Sequence, residues 1–350
     1  MNDSRLSGLY KLSVAERISV MQRQGWLTPQ DAERLKNGRQ ILSSVAADKI
    51  IENVIGVFGL PFGIAPNFLV NGEDRLVPLV VEEPSIVAAL SGAARLARDT
   101  GGFAASCEES LLIGQIHAAG LDDPEAALAA LGAAKAAMTD VANAVHPRLI
   151  ARGGGVRDIE FRRLELPSGE PLLAVHLLVD TVDAMGANLV NTICEVVAPR
   201  IAELCHGKVA LRILSNLADR SLVTASVRFA VDDLGSGEYS GADVRDAIVL
   251  ANDIAAVDPY RAATHNKGVM NGVDALAIAT GNDWRAIEAG VHAYAARVGQ
   301  YRPLTQWSVT ASGDLAGKIT LPLKVGTVGG TLGANRAAAL GLAITGAGSS

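Results

Sequence analysis

The sequence predicts an α+β protein: a large helical and β domain into which a smaller α+β unit is inserted. Three observations carry that expectation. The first is a change of texture near residue 110. Between about 110 and 217, strand-like and helix-like segments alternate, whereas three helical patterns follow one another farther on. The second is composition. Hydrophobic residues make up 49% and charged residues 19%, so a core can be buried and global disorder is excluded. With 36 glycines and only 4% aromatics, close packing through small residues is favoured. The third is length: at about 100–200 residues per domain, 350 residues allow two or three domains. The expected division gives 1–109 and 218–350 to the large domain and 110–217 to the inserted one.

The elements follow in order. Residues 13–48 read as short amphipathic helices: Ser13-Val-Ala-Glu16 has capping-box spacing, and Thr28-Pro29 opens a second helix with proline first. Leu76 to Val81 is a short β-type run. After Glu82-Glu-Pro-Ser85, the residues Ile86, Val87, Leu90, Ala93, Ala94 and Ala97 fall at helical spacing. Glu83 is therefore expected at a strand-to-helix junction, with Pro84 near the first helical position. Leu111 to Ile116 and Leu172 to Asp180 look like strands, and Pro124 to Val145 like an Ala-rich helix. Residues 158–178 alternate as a solvent-facing hairpin would. Val182 to Asn188 opens a helix through about Glu203, and Lys208 to Leu214 is a strand. A β region from Ser221 to Val231 leads to helical patterns at about 241–257, 263–279 and 283–298. Lys318 to Leu323 is a strand, followed by Gly326-Thr-Val-Gly-Gly330 and a helix from Leu332 to Ile344.

Several function classes are disfavoured. Lys and Arg total 31 against 37 Asp and Glu, a net charge of −6, with no strongly basic block for nucleic acid. Cys107, Cys194 and Cys205 are odd in number and lack CxxC spacing, which argues against disulfides or zinc and fits a cytoplasmic location. The start of the chain lacks the apolar core of a signal peptide, and no run is long enough to span a membrane. GxGxxG, the phosphate-loop pattern, HExxH and GxSxG are absent. The six histidines show no metal-ligand spacing, so no metal is expected.

Three polar residues stand out. Lys267, in Thr264-His-Asn-Lys-Gly-Val-Met-Asn271, interrupts an apolar helical pattern; it either snorkels at a helix end or polarises a carbonyl oxygen. Glu83 either favours the dipole of the helix it precedes or acts as a general acid. Asp283, in Gly281-Asn-Asp-Trp284, competes with Asn282 as a natural N-cap and reaches Lys267 only if two antiparallel helices bring their ends together. Asp180 and Asp183 flank a helix start, where an exposed acid is ordinarily a cap; the alternative is a nucleotide contact, with the backbone of Ala184-Met-Gly-Ala187 cradling a pyrophosphate.

The ordered series Glu52-Asn-Val-Ile-Gly56, Glu82-Glu-Pro-Ser85, Asp183-Ala-Met-Gly-Ala-Asn188, Arg212-Ile-Leu-Ser-Asn216, Tyr260-Arg-Ala-Ala-Thr-His-Asn-Lys267, Gly281-Asn-Asp-Trp284 and Gly326-Thr-Val-Gly-Gly330 resembles 3-hydroxy-3-methylglutaryl-CoA reductase, in its soluble bacterial (class II) branch. The resemblance runs from about residue 5 to the end. It implies that the large domain binds the acyl-CoA and that the inserted domain, ferredoxin-like and non-Rossmann, binds the nicotinamide nucleotide. It also implies a homodimer, with Glu52 to Gly56 matching the dimerisation motif and each active site between subunits. The implied reaction interconverts hydroxymethylglutaryl-CoA and mevalonate plus CoA by two hydride transfers. On the matching motifs Lys267 polarises the carbonyl, Glu83 donates the proton at the aldehyde stage, and Asp283 holds and tunes the pair. Ser85, Arg261, Thr264 and Asn271 bind the hydroxymethylglutaryl group, Arg261 through its free carboxylate. Asp183, Met185, Gly186 and Asn188, with Asn216 nearby, match the nucleotide-binding motif.

Two departures shape the expectations. The family's C-terminal flap, which supplies a histidine to the leaving thiolate, has no counterpart before Ser350, so this polypeptide is expected to lose thiolate protonation and much of its activity. NAD-preferring members carry an acid in the segment that here reads Val145 to Arg152. In this chain it has none, and His146, Arg148 or Arg152 can accept a 2′-phosphate instead, so NADP is favoured over NAD. Alternatives at this point are a reductase of a different acyl-CoA and a non-catalytic dimeric paralogue.

Overall fold

The computed structural model of the chain describes residues 3–347. Three short helices come first: α1 (Val14–Arg23), α2 (Pro29–Lys36) and α3 (Ser44–Ala47). α1 opens on a full capping box, Ser13 N donating to Glu16 Oε2 at 2.8 Å and Glu16 N to Ser13 Oγ at 3.4 Å. An extended stretch then leads to β1 (Phe62–Val70) and β2 (Glu73–Val80), a hairpin, followed by α4 (Ile86–Arg98) and β3 (Phe103–Cys107). Next come β4 (Leu111–Ala119), α5 (Pro124–Ala144), α6 (Pro147–Ala151), β5 (Gly155–Glu165), β6 (Pro171–Asp180), α7 (Ala187–Cys205) and β7 (Lys208–Ser215). The chain finishes with β8 (Leu222–Phe229), α8 (Gly241–Val257), α9 (Pro259–Ala279), α10 (Trp284–Ala295), β9 (Thr305–Val309), β10 (Leu315–Pro322) and α11 (Arg336–Thr345).

Two sheets result. The six-stranded sheet has the order β2-β1-β3-β8-β10-β9, with β1 and β3 parallel and the other neighbours antiparallel. Its strands come from both ends of the chain. The four-stranded sheet, β5-β6-β4-β7, is wholly antiparallel and is drawn from the middle alone. One face of it is sealed by α5 and α7, whose Leu131, Met138, Ile193 and Ile201 pack on Ile116, Ile159 and Leu177. The chain enters and leaves this unit at one place: Leu111 N donates to Arg220 O at 3.0 Å and Ser221 Oγ to Leu111 O at 2.9 Å.

Three sequence expectations need correction. The solvent-facing hairpin at 158–178 holds only for β5, an edge strand. β6 lies between β5 and β4, and Leu173 to Val179 are all buried. Pro84 is not at the first helical position, because α4 starts at Ile86 and Ser85 is its N-cap. The final helix starts at Arg336, capped by Asn335, since residues 330–333 form a separate 3-10 turn.

α9 organises the part of the fold outside the four-stranded unit. Asp258 caps it, accepting from Tyr260 N at 2.9 Å, so it starts four residues earlier than the periodicity suggests. Asn266 is fully buried yet satisfied: Nδ2 donates to Arg302 O and Oδ1 accepts from Leu304 N, both at 2.9 Å. Met270 and Ala277 pack with Ile287 and Val291 of α10 and with Leu321 of β10.

Candidate active site

The turn after β2 sets the first half of the site. Ser85 has φ 71°, a left-handed conformation that costs a serine roughly 1 kcal/mol or more and that the surrounding structure must hold. Its neighbour Glu83 is thereby presented at the junction of β2 and α4. The second half lies on α9. At about 100° per residue, Arg261, Thr264, Lys267 and Asn271 fall along one stripe of that helix.

The structure brings the halves together: Lys267 Nζ donates to Glu83 Oε2, 184 positions away. The pair is open to solvent in the single chain, with side-chain exposures of 59% and 40%. An exposed ion pair contributes little to stability, so its use is not to be sought in holding the fold. Ser85, Arg261, Thr264 and Asn271 have no side-chain hydrogen bond among the described residues, which leaves their polar groups uncommitted around the pair's two elements.

Asp283 is not brought in. It is the N-cap of α10, its Oδ1 accepting from Ala286 N at 3.1 Å, and among the described residues Lys267 has Glu83 as its ion-pair partner. The helix end competes successfully for that carboxylate. The neighbour, Asn282, does more than the sequence suggested. Its Oδ1 accepts from Gly326 N at 2.8 Å and its Nδ2 donates to Thr280 Oγ1 at 3.1 Å. In the sequence it stood only as a rival N-cap to Asp283 within the Gly281-Asn-Asp-Trp284 motif.

The glycine loop 326–330 therefore starts on the α9–α10 turn. It continues onto the turn before α7: Thr327 N donates to Asp183 O at 2.9 Å, and Ala184 and Val328 form a parallel bridge. A Cβ on Gly326 would sit 2.5 Å from Met185 N, so only glycine permits this approach. Three motifs distant in sequence thus meet in one place.

The turn before α7 is itself strained and braced. Val182, a β-branched residue, has φ 54°, and Gly186, the N-cap, has φ 89° with Thr181 where a Cβ would lie. Asp180 accepts from Val182 N at 2.9 Å and from Arg157 Nη2 at 2.8 Å. Burial alone would raise its pKa, but these donors hold the carboxyl below its usual range. Asp183 pairs with Arg152. Asn188 is in the first turn of α7, which carries no acid, so its N-terminus is open to an anion. Asn216 follows β7, its backbone carbonyl lying against Gly290 of α10.

The three groups expected at a 2′-phosphate separate. Arg152 is engaged by Asp183, His146 Nε2 is buried without a partner, and Arg148 is exposed with no side-chain bond among the described residues. Among those residues no cluster of His, Cys, Asp and Glu is suited to a metal ion, and no helix is long and apolar enough to cross a membrane.

Comparison with known proteins adds the decisive observation. Residues 13–350 match the family model described as hydroxymethylglutaryl-coenzyme A reductase. The chain belongs to that family. It is 48% identical over 343 residues to 3-hydroxy-3-methylglutaryl-coenzyme A reductase of Archaeoglobus fulgidus, a match covering 98% of this chain and 77% of that protein. It is 37% identical over 300 residues to a probable 3-hydroxy-3-methylglutaryl-coenzyme A reductase of Borreliella burgdorferi, covering 84% and 67%. Among solved structures, the 3-hydroxy-3-methylglutaryl-coenzyme A reductase from Streptococcus pneumoniae superimposes with a TM-score of 0.94 at 41% identity, covering 97% of this chain and 80% of that one. A class II enzyme from the same organism, bound to NADPH in open conformations, gives 0.94 at 42% identity, covering 97% and 92%. The mixed α+β fold is that of hydroxymethylglutaryl-CoA reductase, and membership of the family makes the chain an oxidoreductase.

Proposed function

We propose that the chain interconverts hydroxymethylglutaryl-CoA and mevalonate plus CoA by two hydride transfers, with Lys267 and Glu83 at the reacting carbon. The observation that carries this reading is the bond between Lys267 Nζ and Glu83 Oε2, which joins two motifs from separate parts of the chain. A nicotinamide nucleotide supplies or accepts the hydride. Lys267 donates to the thioester oxygen and then stabilises the alkoxide of the thiohemiacetal. Collapse of the thiohemiacetal breaks its C–S bond, and the CoA thiolate leaves to take its proton from water; Glu83, already bonded to that ammonium, gives the proton when the free aldehyde is reduced by the second hydride. The uncommitted guanidinium of Arg261 takes the substrate's free carboxylate, and Ser85, Thr264 and Asn271 orient the remaining oxygens. Asp283 acts on the pair through the 280–283 turn, not by direct contact.

Apart from the five-residue α6, the inserted unit has the element order βαββαβ, which supports a ferredoxin-like, non-Rossmann nucleotide-binding domain over 110–217 between large-domain segments 1–109 and 218–350. The residues of the turn before α7 fit a pyrophosphate: open N–H groups, a left-handed Gly186, and no acid in the first turn of the helix. Arg148 is free for a 2′-phosphate, so NADPH is preferred to NADH, in keeping with the NADPH-bound relative. The exposed Ile51, Ile55 and Phe58 between α3 and β1 are covered by a second copy in a homodimer, which also closes over the Lys267–Glu83 pair. A cytoplasmic location fits the three free cysteines.

The test is the absorbance of reduced nicotinamide with hydroxymethylglutaryl-CoA. Lys267→Ala is expected to abolish the decline; an undiminished rate in that variant overturns the proposal. A second measurement compares nucleotides. Arg148→Ala should lower kcat/KM for NADPH about tenfold and leave that for NADH unchanged; a parent enzyme strongly favouring NADH refutes the assignment of Arg148.

A further inference from the structure

Lys324, two residues past β10, is the one buried lysine, arginine or carboxylate among the described residues, at 9% exposure. Its Nζ donates to Ser110 O at 3.0 Å and to Ser110 Oγ at 2.8 Å. Both acceptors are neutral, and no carboxylate lies within ion-pair distance of Nζ among the described residues. The acids nearest the nucleotide turn are already taken, Asp180 by Arg157 and Asp183 by Arg152. The positive charge of Lys324 is therefore left over. Burial pushes the ammonium's pKa down, while Asp180 and Cys107 pull it back up.

The position of this charge is informative. Ser110 immediately precedes β4, where the chain enters the inserted unit. Leu323 N donates to Ser221 O at 2.9 Å, on the segment that leaves it, just before β8. Three residues later Gly326 reaches Asn282, and then Thr327 reaches Asp183. The segment 323–327 thus touches both segments that connect the unit to the large domain, the turn beside Asp283, and the turn before α7. Leu111, next to Ser110, pairs with Asp180 in the four-stranded sheet, so Lys324 sits at the same end of that sheet as the nucleotide turn.

A buried cation held only by neutral oxygens is a poor stabilising device, since an apolar side chain of similar volume is usually neutral or better for the fold. Its presence there calls for another explanation. We propose that Lys324 is a positioning residue for nicotinamide-nucleotide binding: through Ser110 it fixes the entry strand against the glycine loop, and its unneutralised charge favours the nucleotide's phosphates at that end of the sheet. The inference rests on the nucleotide site proposed above and adds a residue outside its motif.

The experiment measures NADPH and NADH dissociation constants by fluorescence, thermal midpoints, and steady-state kinetics for the full chain, Lys324→Met, Lys324→Arg and Ser110→Ala. If the parent binds neither nucleotide, the proposed nucleotide site itself fails, and this inference with it. If the parent binds, Lys324→Met should raise the NADPH Kd about tenfold or more and flatten its salt dependence. Its thermal midpoint should stay equal or rise, its kcat at saturating NADPH should stay within about twofold, and Lys324→Arg should recover part of the affinity. A Kd for Lys324→Met within about twofold of the parent overturns the inference while leaving the nucleotide site intact. So does a raised Kd that comes with a lowered midpoint and no recovery in Lys324→Arg, because that marks a purely structural role. Should Lys324→Met not fold, Ser110→Ala decides the matter: a Kd raised about threefold with an unchanged midpoint supports the role, and an unchanged Kd rejects it.

Discussion

Asp74, on β2, is held by Arg98 Nη1 at 2.8 Å, by Ser4 Oγ at 2.6 Å and by Ser4 N at 2.9 Å. Burial pushes its carboxyl up, but the Arg98 and Ser4 donors outweigh that and bring the pKa down to about 2. A folded pKa below the unfolded value near 3.8 means that the stabilisation is present above about pH 4 and is lost as pH falls towards 2. Asp74→Asn should cost about 2 kcal/mol at neutral pH and remove that part of the acid dependence; urea titrations at pH 7 and pH 3 check both. The neighbouring cluster shows what a sequence hides at this scale. Glu83 and Lys267 could each be singled out by motif, yet their contact depends on a chain reversal over 184 positions. Asp283 was expected at the same centre, but the free N–H of Ala286 lies closer to hand. Lys324 carried no mark at all, because its burial is decided by Ser110, 214 positions away.

At the scale of elements, α9 and α10 share a row of ionisable groups. Asp274 on α9 faces Glu288 on α10; His292 Nε2 bonds Glu288 Oε2 at 2.7 Å, and His292 Nδ1 lies 2.7 Å from the Tyr301 hydroxyl. Burial, and then the adjacent Glu288, push Asp274 up to about 8. For an acid whose folded pKa is raised, the proton stabilises the fold fully below the unfolded value near 3.8, and this is lost as pH rises through 8. Asp274→Asn should therefore be more stable than the parent at pH 8 by about 1 kcal/mol and show no gain below pH 4; thermal unfolding across that range is the check. The helices themselves were the most legible elements. α5, α8 and α10 begin at or within one residue of the positions expected, because their starts carry Pro124, Ser240 and Asp283 as local signals. β3 and β9 were not foreseen, being five residues each with no clear alternation of apolar and polar side chains, Phe103-Ala-Ala-Ser-Cys107 and Thr305-Gln-Trp-Ser-Val309. Nor could the interior position of β6 be foreseen, since strand order is not a local property.

For the molecule as a whole, the exposed apolar segment between α3 and β1 sets the clearest test. Ile55 and Phe58 are 105% and 91% exposed, a poor arrangement for an isolated chain in water. Sedimentation should give a dimer for the parent. Phe58→Asp should shift it towards the monomer and lower turnover with it, whereas a Phe58→Asp monomer of full activity would separate catalysis from assembly.

Leu111 and Arg220 lie one hydrogen bond apart, so the polypeptide between them begins and ends at the same point. It also carries its own apolar interior. Such a piece can be treated as a cassette: excised, it is expected to fold unaided, and its old ends to be sealed in a circular permutant without stretching either junction, which circular dichroism of the excised piece checks. The remainder would need only a few linking residues to bridge the gap, and the excised cassette, deprived of the loop that braces it from outside, should hold nucleotide more weakly than the intact chain.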